Sequence, residues 1–188
     1  MSELRVPGRR FYGEHMATMM LALDSGAQAR DAKLDEQGWA GRRVLGYKLP
    51  EWQRREVWTL DQCVRFVESC YMGANIGSFM INCVFDPQEL DEVVLDGQQR
   101  LRALERYWNN EFALAGEDGR LWLWDDLEKD EKARLHRIVF PWTMTHYNTV
   151  DLLHDAYNRH NYGGVAHTAL EMAPEGDLRS APVGHHAF

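Results

Sequence analysis

Residues 93–101 read Val93-Val94-Leu95-Asp96-Gly97-Gln98-Gln99-Arg100-Leu101, and this stretch carries most of the information about the fold. Three apolar residues, two of them β-branched, make a short strand. Asp-Gly ends it, because glycine reaches backbone conformations closed to other residues. From Gln98 onward, Leu101, Leu104, Glu105 and Trp108 recur at helical intervals, so the spacing predicts a helix over 98–110. A strand that enters a helix through one glycine leaves the amides of Gln98, Gln99 and Arg100 without helical partners. Those donors and the helix dipole suit an anion. Arg100 adds a charged fork for phosphate oxygens, and Asp96 is placed to hold Mg²⁺ or to orient a water. The same residues also suit an ordinary strand–helix turn, with Asp96 near the N-cap and Arg100 in a surface ion pair.

Outward from this stretch, short strands are expected at Glu92–Leu95 and Ile76–Phe85. A helix is expected from Leu60 to Met72. Thr59 and Gln62 have the spacing of a capping box, and Gly73 ends the helix. Its inward face would be Leu60, Cys63, Val64, Val67 and Cys70. Further upstream, Val44–Leu49 reads as a strand stopped by Pro50, and 35–43 as a loop around Gly38 and Gly41. Residues 14–33 read as a helix, with Met16, Met19, Met20 and Leu23 at helical spacing. Downstream come a strand at Leu121–Trp124, a charged helix at Leu127–His136, a strand at Arg137–Trp142 and a helix at Val150–His160. Strands and helices mix without strict alternation, which predicts an α+β fold: one small mixed sheet with surrounding helices. Residues 1–13 read as an arm and 14–170 as the single domain. Residues 171–188, rich in Pro, Gly, Ser and Ala, read as a flexible tail.

The chain has 188 residues, which suits one domain, and its 45% apolar and 27% charged content is that of a globular protein. A net charge of −8 excludes a simple basic coat for nucleic acid. The apolar runs are too short to span a bilayer, and Met1–Tyr12 lacks the apolar core of a secretory signal. A cytoplasmic protein without membrane contact is the simplest expectation. Three cysteines without a Cys-x-x-Cys pair argue for buried, reduced thiols. Of the 21 basic residues, 17 are Arg; Arg grips phosphate with two bonds, and a GC-rich genome gives the same bias. There is no Gly-x-x-x-x-Gly-Lys-Ser/Thr loop, no Gly-x-Ser-x-Gly elbow and no His-Glu-x-x-His pair.

Two more stretches are unusual. Pro50-Glu51-Trp52-Gln53-Arg54-Arg55-Glu56-Val57-Trp58 sets two Trp beside two Arg and a Gln. Gln53 and Arg54 could reach a phosphate or a base against an aromatic wall, or the stretch could be a Trp-anchored loop with solvated charges. Tyr157-Asn158-Arg159-His160-Asn161-Tyr162-Gly163-Gly164 crowds polar side chains at a helix end. It suits a polar pocket and equally a plain helix C-cap.

In order and spacing, the three stretches together resemble the N-terminal domain of GmrSD-type type IV restriction enzymes, in the ParB/sulfiredoxin superfamily. That pattern runs from Gln53-Arg54 with Trp58, through Phe66-Val67-Glu68-Ser69 and Gly73 to Gly77, to Leu95-Asp96-Gly97-Gln98-Gln99-Arg100-Leu101. It ends at Arg159-His160-Asn161-Tyr162-Gly163-Gly164. The resemblance covers about residues 44–168. It implies a ParB/sulfiredoxin-like α+β fold that binds a nucleoside triphosphate, with Mg²⁺ as cofactor, and hydrolyses it. Carried over by position, Gly97, Gln98, Gln99 and Arg100 would grip phosphate. Asp96 would hold the metal or orient water, with Arg100 as its catalytic companion. Gln53, Arg54, Arg159, Asn161 and Gly163 would close the pocket. The setting implied is DNA restriction and phage–host conflict, with a separate nuclease or effector subunit as partner, because the nuclease motif of those enzymes is not among these residues. Two other expectations stand beside it. One is a module that binds nucleotide without hydrolysis and thereby gates contact with DNA or a protein. The other is a DNA-processing enzyme whose Arg42, Arg43, Arg54 and Arg55 form a local basic stripe.

Overall fold

Val93, Val94 and Leu95 are all fully buried, which a strand achieves only when both faces of its sheet are covered. The structure, a computed structural model, describes residues 8–162. Six strands form the main sheet: β1 (Gly13–Met19), β2 (Arg42–Val44), β3 (Tyr47–Leu49), β4 (Phe79–Asn82), β5 (Val93–Asp96) and β8 (Val139–Thr145), in the order β1-β8-β4-β5-β3-β2. The sheet is mixed. β5 runs antiparallel to β4 and parallel to β3, and β4 runs parallel to β8. β6 (Leu114–Ala115) and β7 (Leu121–Trp122) make a separate small hairpin. Five helices surround the sheet: α1 (Met20–Glu36), α2 (Leu60–Met72), α3 (Gln98–Trp108), α4 (Lys129–His136) and α5 (Val150–Tyr162).

Side chains alternate along β5, and the core divides accordingly. Val94 packs with α2 and α3, in a cluster that includes Val67, Leu101, Leu104 and Tyr107. Val93 and Leu95 face the other way, into a smaller cluster with Trp52, Leu153 and Tyr157. The sheet is therefore sandwiched, and the carboxyl end of β5 emerges between the two helical layers. This is the α+β architecture expected. No helix of the described residues is long and apolar enough to cross a membrane.

α2 begins and ends as its sequence demands. Thr59 and Gln62 form the reciprocal capping box, and Gly73 takes the left-handed conformation at the far end. Cys63 and Cys70 are buried free thiols, and burial pushes the Cys70 thiol up to about 12. The inward face differs at its start: Leu60 is exposed, and Phe66 fills the core instead.

Three expectations need correction. Residues 14–19 are strand, not helix. β1 pairs with β8 along its whole length, from Gly13 opposite Thr145 to Met19 opposite Val139. The spacing of Met16, Met19, Met20 and Leu23 is shared between two elements: Met20 and Leu23 are buried on the helix, whereas Met16 and Met19 are exposed on the strand. The Val44–Leu49 strand is really a hairpin. Leu45 and Gly46 both have positive φ, 49° and 75°, and turn the chain back on itself. The long strand expected over 76–85 shrinks to Phe79–Asn82, leaving Phe85 in solvent.

Asn82 is fully buried at the end of β4, with every polar atom used. Its Nδ2 donates to the carbonyls of Leu90 and Tyr147, both at 2.9 Å. Its Oδ1 accepts from the Tyr147 amide at 2.7 Å and from Thr145 Oγ1 at 3.0 Å. This amide ties β4 to the chain entering β5 and to the start of the α5 connection. Asn82→Ala strands buried donors and acceptors, and urea denaturation should show a loss of about 3 kcal/mol or more.

Candidate functional site at the end of β5

Gly97 joins β5 to α3 with φ 87° and ψ 6°. A Cβ here would lie 2.4 Å from Phe79 Cβ and 2.8 Å from Phe79 Cα. Only glycine lets the turn press against β4 in that conformation. No side chain caps the helix at Gly97, so the first amides of α3 lack a side-chain partner at an end where the helix dipole favours an anion.

The side chains of Gln98 and Gln99 turn away from that opening. Both are buried. Gln99 Oε1 accepts from the amides of Val57 and Trp58, each at 3.2 Å, and its Nε2 donates to the Arg55 carbonyl at 3.4 Å. The Gln98 amide, with its nitrogen toward the Arg54 carbonyl at 3.0 Å, accepts from Arg42 at 2.9 Å. The paired glutamines thus bind the irregular 53–58 segment to the start of α3. The loop has no regular ladder of its own, so these amides supply its backbone partners.

The result is a cleft of about 130 Å³, lined by Gln53, Arg54, Trp58, Gly97, Arg100 and Asn161 among others. Gln53 is only 4% exposed, and its Oε1 has no hydrogen-bond partner among the described residues. A buried acceptor left empty is costly unless a ligand or water satisfies it. The Arg54 guanidinium has no partner among the described residues. Asn161 donates to the Leu95 carbonyl at 3.5 Å and to the Tyr157 carbonyl at 2.9 Å, fixing α5 against the end of β5.

Asp96 and Arg100 meet across the turn at 3.5 Å, and Arg100 also donates to the Ser78 carbonyl at 3.0 Å. Gly77 lies directly beneath this guanidinium; a Cβ there would sit 3.2 Å from Nε. The second partner of Asp96 is His160, with Nε2 3.4 Å from the carboxylate. Burial pushes the Asp96 carboxyl up, but the His160 bond, the Arg100 charge and the Gly97 amide together hold it below the usual value. His160 is raised, first through its bond to Asp96 and then through that charge, against burial and Arg100.

The structure brings Gln53, Arg54, Asp96, Gly97, Gln98, Gln99, Arg100 and Asn161 to one cleft. It does not bring Arg159 there. Arg159 pairs with Asp155 at 2.8 Å and lies over the Phe11 ring. One step along a helix turns about 100°, so its neighbour His160 reaches Asp96 instead. Gly163 lies outside the described residues. Sequence reasoning counted His160 among the polar side chains crowded at this helix end but gave neither it nor Tyr157 a role; the signal was the four-residue spacing of Tyr157 and Asn161, which marks the face of α5 turned to the cleft. Two residues of the expected basic stripe are engaged within the fold. Arg42 is tied to the Gln53 carbonyl at 3.0 Å as well as to Gln98, and Arg43 to Asp31, Asp35 and the Trp39 carbonyl.

No three metal-ligating side chains cluster among the described residues. Mg²⁺, however, keeps most of its waters and needs only one or two carboxylates beside substrate phosphates. Asp96 lines the cleft as a carboxylate and fits such an ion.

Fold and cleft define a small α+β domain with an anion-suited opening where a strand feeds a helix. Residues 36–173 match the family described as the GmrSD restriction endonuclease, N-terminal domain, and the chain belongs to that family. No curated protein and no solved structure matches it.

Two outcomes are expected of the site itself. Gly97→Ala should destabilise by about 3 kcal/mol or more, from strain and overlap with Phe79, read as a lower urea midpoint. His160 should titrate above 6.5 by NMR, and Asp96→Asn should return it toward that value. The stability His160 contributes is full below 6.5 and is lost as pH rises through its raised folded-state value. The Asp96 contribution is present above 3.8 and is lost as pH falls through its lowered one.

Proposed function

We propose that the chain binds the phosphates of a nucleoside triphosphate at the N-terminus of α3 and hydrolyses it with Mg²⁺, in the service of DNA restriction. The observation that carries this reading is the convergence on one cleft of an uncapped helix N-terminus at Gly97 and the Arg54 guanidinium, which has no partner among the described residues. Cation and amides suit phosphate oxygens.

At about 130 Å³ the cleft is smaller than the roughly 300–1,000 Å³ of whole small-molecule sites. It suits the phosphates. The nucleoside would extend past Trp58 and Gln99, which also line a neighbouring groove of about 320 Å³. Bound Mg²⁺ would neutralise phosphate charge. The chain's own groups do the rest: Arg54 and the α3 amides hold oxygens in place, and His160, hydrogen-bonded to Asp96, holds a proton beside them. Asp96 itself is a poor base, being ion-paired on both sides.

That last feature favours a second reading, a nucleotide-gated module that binds without turnover and contacts a nuclease subunit or DNA. Turnover separates the two. A thermal-shift series with the four common nucleoside triphosphates and Mg²⁺ tests the shared premise. Ligand at a hundred times its Kd adds about 2.7 kcal/mol, raising Tm by about 5–10 °C for a chain of this size. Arg54→Ala should abolish the shift. Phosphate release that disappears in Asp96→Ala supports hydrolysis, and a shift without release supports gating. Absence of a shift with every nucleotide overturns both.

A further inference from the structure

Arg159 and Asn161 belong to one motif, yet two steps along a helix turn about 200°, so their side chains leave α5 on opposite sides. Asn161 lines the cleft. Arg159 is exposed and pairs one turn back with Asp155. Past Tyr157 no described residue of α5 is buried. The last described turn therefore has no side chain sunk in the core, and such turns open at low cost. On the cleft side its links to β5 are long: 3.5 Å from Asn161 to the Leu95 carbonyl and 3.4 Å from His160 to Asp96. Bonds of that length hold weakly.

The outer side of that turn is gripped by residues just ahead of β1. Arg159 Nε donates to Asp155 Oδ1 at 2.8 Å, and Arg10 meets the other carboxylate oxygen at 3.3 Å. Both guanidiniums lie over the Phe11 ring, at 5.7 Å for Arg159 and 5.8 Å for Arg10, and a cation over a ring face is attracted to it. Phe11 is half-buried against the cluster of Trp52, Leu153 and Tyr157, edge-on to Tyr147 at 6.0 Å. Tyr147 is in turn fixed through its backbone by Asn82. Through one ring, the outer side of the turn is tied to the buried end of β4.

We infer, resting on the reading of this cleft as a nucleotide site, that Arg159 is a positioning residue. Held by Asp155 and Phe11, it keeps the end of α5 in place so that Asn161 closes the cleft on the nucleotide. It touches no phosphate itself. Arg10 and Phe11 thereby act on the site, although they lie outside all three motifs.

Amide hydrogen exchange of the full chain without ligand tests the bracing directly. In Phe11→Ala and in Arg159→Ala, protection of the Asn161 and Tyr162 amides should fall about fivefold, the worth of an exposed cation–π contact. Protection along α3 should be unchanged, which separates a loosened turn from a loosened fold. Phe11→Tyr keeps the ring and should keep wild-type protection. The double Ala variant should lose little more than either single one, because both remove the same contact. The Kd for whichever nucleoside triphosphate binds the wild-type chain should rise by about the same factor in each Ala variant. Unchanged protection in both, additive losses, or a weaker Kd in Arg159→Ala alone, the mark of a direct phosphate contact, overturns the positioning role. If no nucleotide binds the wild-type chain, the nucleotide reading fails by itself, and the exchange result still upholds or overturns the bracing by Arg159.

Discussion

Gly97 sits so close to Phe79 that no side chain fits between them. That contact sets the angle at which α3 leaves β5, and the cleft follows from it. With the helix so placed, Gln98 and Gln99 on its first turn meet the 53–58 segment and supply hydrogen-bond partners that the segment cannot find within itself. The loop is then fixed with Gln53 buried and Arg54 at the opening. α5 closes the third side through Asn161, which reads the carbonyl at the end of β5. One close approach of backbone to strand thus orders three distant stretches of chain.

The glutamines show how a motif divides its work. The amides at the mouth belong to the backbone, where residue type matters little beyond allowing the turn. The side chains are spent inside, holding the loop. A buried amide with all its groups engaged is specific in geometry and tolerates few substitutions, because either partner left alone in the interior carries the full desolvation cost. Arg100 behaves similarly. It braces Asp96 and the Ser78 carbonyl, and the cleft cation without a partner among the described residues is Arg54. Asp96, held by Arg100 and His160 together, keeps its charge in a half-buried place where isolation would drive it to protonate.

The sequence by itself determined the local grammar: the strand–glycine–helix of 93–101, the Thr59–Gln62 cap, the Gly73 stop, the buried thiols and the mixed α+β class. Each of these rests on forces acting within a few residues, such as a β-branched run, a side chain reaching its own helix amide, or a glycine's access to positive φ. Family membership was legible too, because three motifs in fixed order leave little room for chance. Tertiary structure decided what neighbours in space decide. Residues 14–19 satisfy a helical spacing, yet β8 offers them a full ladder, and the ladder prevails. Arg159 and His160 are adjacent in sequence, but only the helix's rotation and its docking on β5 choose which one meets Asp96. The same holds for the side chains of Gln98 and Gln99, whose partners are distant in sequence. A chain read in one dimension shows which groups are available, and packing determines which of them remain unpaired at the surface.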